Sequence, residues 1–271
     1  MPELPEVETT RRALEPILRG RTIATAKVYD ARLRWPVPRD LADRLAGEAV
    51  LRLDRRARYL LLRLKDGTLI VHFGMTGTLR ALSRPPARGP HDHLELTLDN
   101  GVVLRYRDPR RFGAVLWTAD PAESHPLLAC LGPEPLGPGF SGASLHAAIH
   151  PRRIALKLAL MDNRNVAGVG NIYASEALFR AGLRPARPCN RVSLAACEKL
   201  VGAVREVLEE AIAAGGSTLR DYVDGTGKPG YFQLEHRVYG RRGLPCLACG
   251  TPLKELRLGG RSSCYCPRCQ T

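Results

Sequence analysis

Apolar positions at the start of the chain recur at helical spacing. Val7, Leu14, Ile17 and Leu18 fall on one face of residues 3–20, and Gly20 can end the helix. From about residue 22 to residue 118 the period shortens towards two. Tyr59–Leu64, Thr68–Phe73, His93–Leu98 and Val102–Arg107 are short, rich in strand formers and separated by turn pairs such as Asp66-Gly67 and Asn100-Gly101. The pattern predicts antiparallel strands in a sandwich or barrel. Residues 130–142 hold three prolines and four glycines and continue neither element, so they read as an interdomain linker. Helical periodicity returns over 154–161, 171–181 and 194–214. DGTGKPG at 224–230 reads as a loop, and a cysteine-rich tail follows. The expected class is α+β in two domains. An N-terminal helix and antiparallel β-sandwich span 1–129, a helical region spans 143–236, and a hairpin occupies 237–271.

Composition narrows the function. The 271 residues are 44% hydrophobic and 25% charged, which excludes wholesale disorder. No stretch approaches the roughly 18 apolar residues needed to cross a bilayer, and MPELPEVETT is neither basic nor apolar. A soluble chain without a secretion signal is expected. The 41 Lys and Arg against 27 Asp and Glu give a net charge of +14, which suits a polyanionic partner, nucleic acid or an anionic membrane surface. Five of the eight cysteines crowd the last 26 residues. That distribution predicts metal knuckles in a reduced, intracellular protein rather than a disulfide scaffold.

Three motifs carry chemistry. Cys246-x2-Cys249-x16-Cys266-x2-Cys269 places two knuckles around a hairpin-sized stretch, and four thiolates close a tetrahedral zinc site. No ligand position is left open, so one structural Zn²⁺ is expected; Cys264 is out of spacing. At the other end, a small second residue allows removal of Met1, which leaves Pro2 as the first residue. Its secondary amine could attack a sugar C1′, and the resulting iminium is necessarily cationic, an electron sink for cleavage and elimination. Glu3 would sit beside that amine and Glu6 one turn on. Read alone, Pro2 is a helix lead-in. In LMDNRNVAGVGNIYASEALFRAG (160–182), a glycine-containing loop joins two helices, and the second helix offers unpaired amides to an anion such as a phosphate. An ordinary helical hairpin would read the same way.

PELPEVETTRR, HFGMTG (72–77), PHDH (90–93), RDPRRFG (107–113), GVGNIYASEALF (168–179), KPGYFQ (228–233), VYGR (238–241) and the four-cysteine tail together closely resemble formamidopyrimidine-DNA glycosylases. These are bacterial base-excision enzymes that remove 8-oxoguanine and ring-opened purines. The resemblance runs from Pro2 to Gln270, in order and without large gaps.

The resemblance implies a monomeric, cytosolic glycosylase and lyase acting on damaged duplex DNA, with a helix–two-turns–helix element and no organic cofactor. DNA would lie in the cleft between the two domains. Pro2 would be the nucleophile and Glu3 the general acid and base. Arg261, between the zinc knuckles, would hold the phosphate 3′ to the lesion and be linked to δ-elimination. Met75, Arg110 and Phe112 match the residues inserted into the gap left by the extruded base; on pattern alone, Met75 and Phe112 read as core. His91, Lys157, Asn171 and Arg152 match phosphate contacts, and 224–231 matches a segment covering the flipped base. One position departs from the family. Where lysine is usual, this chain has Arg58, which keeps a phosphate contact but essentially never gives up a proton. Two rivals remain. One is the sister endonuclease VIII family, which prefers oxidised pyrimidines; the PELPEV opening and the complete Met75, Arg110 and Phe112 set favour the purine enzyme. The other is a non-enzymatic DNA-binding protein on the same scaffold, against which Pro2, Glu3 and Arg261 stand.

Overall fold

The computed structural model describes residues 2–217 and 224–271. Met1, whose removal the sequence predicts, lies outside the described residues, as do 218–223 within the span assigned to the helical region. Contacts divide the chain into two compact units, Met1–Ala129 with Ala214–Tyr231, and Cys130–Ala213 with Phe232–Thr271. Among the described residues no helix is long and apolar enough to cross a membrane.

The first unit opens with helix α1 (Leu4–Leu18), which buries Leu4, Val7, Leu14 and Leu18. Its outer face carries an ion cluster. Burial alone would raise the Glu8 carboxyl, but hydrogen bonds from Arg11 and Arg12 and the nearby charge of Arg55 hold it down to about 2. Strand β1 (Ile23–Val28) and helix α2 (Leu41–Leu45) follow, then β2 (Val50–Arg56), β3 (Tyr59–Leu64), β4 (Thr68–His72), β5 (Thr78–Leu82), β6 (Asp92–Leu98), β7 (Val103–Arg107), β8 (Ala114–Thr118) and the short helix α3 (Pro126–Ala129). The strands form two antiparallel four-stranded sheets, ordered β1-β6-β7-β5 and β2-β3-β4-β8. Leucines at every second position, such as Leu60, Leu62 and Leu64 on β3 and Leu94, Leu96 and Leu98 on β6, point into one core that both sheets and α1 share. This is the expected sandwich.

The segment Ala214–Tyr231 belongs to this unit although it follows the helices in sequence. The Ser217 amide donates to Glu6 Oε1 at 2.8 Å, and the Ala81 amide donates to the Gly225 carbonyl at 2.9 Å. Asp224 Oδ1 accepts from the Thr226 amide at 2.8 Å and the Lys228 amide at 2.9 Å, which closes the loop on itself.

The second unit contains α4 (Gly142–Ile149), α5 (Leu156–Leu160), α6 (Asn171–Ala181), α7 (Leu194–Ala213) and the hairpin β9 (Lys254–Leu258) and β10 (Arg261–Tyr265). Helix α7 buries Cys197, Leu200, Val201, Val204, Val207, Leu208 and Ala211, a single helical face that packs on α4 and α6. Helix α6 ends at Gly182, whose φ of 72° supplies the left-handed cap.

Candidate active site and metal centre

Pro2 and Glu3 are both buried at the head of α1. Glu3 is the N-cap. Its side chain accepts from the Glu6 backbone, and the Glu6 carboxylate accepts from the Glu3 amide at 2.7 Å. The second Glu6 oxygen takes the Ser217 amide, so one carboxylate fixes both the entry to α1 and the returning segment. A proline ring nitrogen at this point, once it ends the chain, is a secondary amine one residue from a carboxyl group. That pair can form a carbon–nitrogen bond and move the accompanying proton.

The same unit carries an exposed apolar projection. Met75 is 37% and Phe112 44% exposed, and the exposed Arg110 guanidinium lies 4.8 Å over the Phe112 ring. Neither Met75 nor Phe112 is core, contrary to their pattern in the sequence. Gly74 makes the close approach of their loops possible: its φ is +58°, and a Cβ there would meet the Phe112 carbonyl carbon at 2.3 Å. The Gly74 amide donates to His72 Nδ1 at 3.2 Å. Burial, then the charges of Arg58 and Arg34, push His72 down to about 4, so the imidazole is neutral and Nδ1 can accept. Arg58 itself is 8% exposed, and its neighbour Tyr59 packs a ring 4.8 Å from that of His72. His91 is half-buried, and its carbonyl accepts the Asp108 amide at 3.0 Å.

In the second unit Asn171 opens α6, and its buried Oδ1 has no hydrogen-bond partner among the described residues. Arg152 is paired with Asp162 at 3.1 Å. Lys157 is turned inward. It is 1% exposed, and its Nζ donates to the Ser263 hydroxyl at 2.8 Å and the Ser262 carbonyl at 3.2 Å. Those two serines follow Arg261, which stands exposed at the tip of the β9–β10 hairpin. The turn is Gly259-Gly260, with φ of +53° and +75°, the positive pair that a two-residue hairpin turn of this hand requires. Below the tip, Cys246, Cys249, Cys266 and Cys269 bring their sulfurs within 4.8 Å of one another.

Three family models match in order: the formamidopyrimidine-DNA glycosylase N-terminal domain over residues 1–115, its H2TH domain over 131–223, and the zinc finger found in FPG and IleRS over 243–271. A formamidopyrimidine-DNA glycosylase of Thioalkalivibrio sulfidiphilus is 54% identical over 270 residues, covering all of both chains, and one of Methylococcus capsulatus is 54% identical over 272 residues with the same coverage. The chain belongs to the formamidopyrimidine-DNA glycosylase family. Among solved members, the MutM (Fpg) protein of Thermus thermophilus superposes with a TM-score of 0.87 at 42% identity, covering 99% of this chain and 98% of that one. A Lactococcus lactis FPG mutant in complex with Fapy-dG-containing DNA gives 0.91 at 31% identity over the whole of both chains.

The family's zinc fits the cysteines found here. Tetrahedral zinc with sulfurs at about 2.3 Å needs sulfur–sulfur edges of roughly 3.8 Å. Cys249 and Cys266 are 3.5 Å apart, and Cys246 and Cys269 3.9 Å. Cys264 stands outside the set, with its thiol on Glu255 Oε2 at 3.6 Å. A second anchor of the finger was not visible in the sequence. Glu176 on α6 is 4% exposed and accepts the backbone amides of Arg237, Val238 and Tyr239 at 2.8, 3.1 and 2.8 Å. Burial raises its carboxyl, and the three amides work against that rise. Within a helical run, Glu176 reads only as a polar position.

Proposed function

We infer that this chain removes oxidised purines, 8-oxoguanine and formamidopyrimidines, from duplex DNA in base excision repair, and then cleaves the strand at the abasic site. In this reading the Pro2 nitrogen attacks C1′ as the bond from C1′ to the base breaks. Glu3 protonates the ring oxygen, so the sugar opens to a cationic iminium. Loss of the C2′ proton expels the 3′ phosphate, and a second elimination expels the 5′ phosphate. Arg261 holds the 3′ phosphate in a fork that suits its oxygens. Met75, Arg110 and Phe112 occupy the gap left by the flipped nucleotide and offset part of its lost stacking. His91, Asn171, Arg58 and Arg152 supply further phosphate contacts, and residues 224–231 cover the extruded base. Cys246, Cys249, Cys266 and Cys269 would hold zinc, which orders the finger and takes no part in bond breaking. The protein acts as a cytosolic monomer.

The observation that carries this reading is the buried Pro2–Glu3 pair at the head of α1, in a chain whose whole length matches the family. Borohydride added during turnover on a duplex with one 8-oxoguanine should leave a covalent protein–DNA adduct on Pro2, located by peptide mass spectrometry. Glu3→Gln should bind that duplex within about threefold of normal and lose roughly 10²–10⁴ in base release. No adduct, or full activity in a form that keeps Met1, would overturn the assignment.

A further inference from the structure

Asp108 has no exposed surface and sits two residues before Arg110. A carboxyl group so buried must find hydrogen-bond partners, and three of the four that meet its side chain lie at or beside an expected DNA contact. Oδ1 accepts from the Thr76 hydroxyl at 2.8 Å, next to Met75, and from the Arg110 amide at 3.3 Å. Oδ2 accepts from the Gly113 amide at 2.8 Å, next to Phe112, and lies 3.5 Å from the Tyr106 hydroxyl. The backbone of Asp108 adds three more ties, its amide to the His91 carbonyl at 3.0 Å and its carbonyl to His93 Nε2 at 2.8 Å and to the Arg111 amide at 3.2 Å. One residue therefore joins HFGMTG, PHDH and RDPRRFG.

Two backbone features show what this grip holds in place. Arg111 has a φ of 57°, a conformation that L residues other than glycine rarely adopt, and it lies between the two amides that the Asp108 side chain binds. A strained residue of this kind persists only where its neighbours fix it from both sides. Gly113 must lack a side chain for its amide to reach Oδ2, because a Cβ there would lie 1.8 Å from the Tyr106 hydroxyl.

We propose that Asp108 is the positioning residue of the base-displacing projection: its carboxylate locks the Met75 loop and the Arg110–Phe112 loop into one rigid piece. This rests on the reading of Met75, Arg110 and Phe112 as gap-filling residues. Rigidity matters there because a side chain that fills the space of a lost base offsets its stacking only if it is held in register. Each carboxylate oxygen of Asp108 faces a backbone amide that can only donate, Arg110 at Oδ1 and Gly113 at Oδ2. Asparagine offers one oxygen, and its amide group would face a donor, so Asp108→Asn must release one of the two loops.

The test compares two substrates, 8-oxoguanine in a duplex, where a base must be displaced, and a pre-formed abasic site in the same duplex, where none is. Asp108→Asn should lower kcat/KM for 8-oxoguanine excision about 30-fold and abasic-site cleavage less than threefold. Thr76→Val, which removes a single half-buried hydroxyl, should give a split in the same direction of about fivefold. It keeps the test alive if Asp108→Asn does not fold. In the Asp108→Asn background it should add less than twofold, because both changes break the same tie. Equal losses on the two substrates would mean a general structural role and overturn the proposal, as would intact excision. Met75→Ala with Phe112→Ala is the control for the underlying reading. If that pair shows no split between substrates, the gap-filling assignment fails, and the role of Asp108 fails with it. If the pair shows the split and Asp108→Asn and Thr76→Val do not, only the role of Asp108 fails.

Discussion

Lys157→Met isolates what an inward-facing lysine on α5 does for the finger it contacts. The Nζ of Lys157 holds the Ser263 hydroxyl and the Ser262 carbonyl. A hydrogen bond from a charged donor contributes roughly 1.5–3 kcal/mol. Ser262 is exposed, so water can replace the lysine there, whereas Ser263 is 1% exposed and stays unsatisfied. Methionine also removes a buried cation whose desolvation opposed the contact. The net loss should be about 2 kcal/mol in the docking of the hairpin, roughly a thirtyfold fall in correctly placed Arg261. The assay is lesion-duplex affinity across a salt series. Arg261→Ala should flatten the slope of log K against log[salt] by about 0.9, the loss of one phosphate contact. If Lys157 acts through the finger, Lys157→Met flattens the slope by no more than that, and in the Arg261→Ala background it changes the slope by nothing. A lysine with a phosphate of its own, as the family resemblance implies, would flatten the double variant by about 1.8. That result would refute the strut.

Cys249→Ser should lose zinc by mass spectrometry, and DNA binding and strand cleavage should fall together while the unfolding transition of the sandwich remains. Cys264→Ser should keep its zinc; if it loses the metal, the ligand set is wrong. His72 predicts a pH effect. Its value near 4, against an ordinary 6.5, means that the unfolded chain binds the extra proton within that window. Stability is full above about pH 6.5 and falls as pH drops towards 4, by about 2 kcal/mol for a half-buried group. His72→Asn, which keeps an acceptor for the Gly74 amide, should flatten the unfolding free energy over that range; an unchanged pH slope would exclude His72 as the source.

The periodic elements were legible where punctuation is local. Helix α6 runs over the predicted 171–181 because Gly170 and Gly182 bracket it. Helix α4 was hidden, because it begins at Gly142, inside a stretch whose prolines and glycines argue against any helix. The reciprocal bonds of Ser141 and Ser144 cap it all the same. Met75 and Phe112 defeat pattern reading, since nothing local distinguishes an apolar residue left in water from one in a core; only the family resemblance marks them. Asp108, Glu176 and the burial of Lys157 are products of tertiary structure. Each takes its meaning from partners distant in sequence, such as Arg237 to Tyr239 for Glu176, and a single charged letter carries no trace of them.

The path of the chain between its two units has a consequence for synthesis. Ala214–Tyr231 completes the first unit but is translated only after α4 to α7. Domains generally fold as they emerge, the N-terminal one first. Here the strands can pair early, but Glu6 lacks its bond from the Ser217 amide, and Ala81 its bond to Gly225, until most of the polypeptide has been made. The head of α1 thus reaches its finished surroundings only after α4 to α7 have been made. A chain stalled or cut anywhere between residues 130 and 213 would carry Pro2 and Glu3 in an incomplete setting.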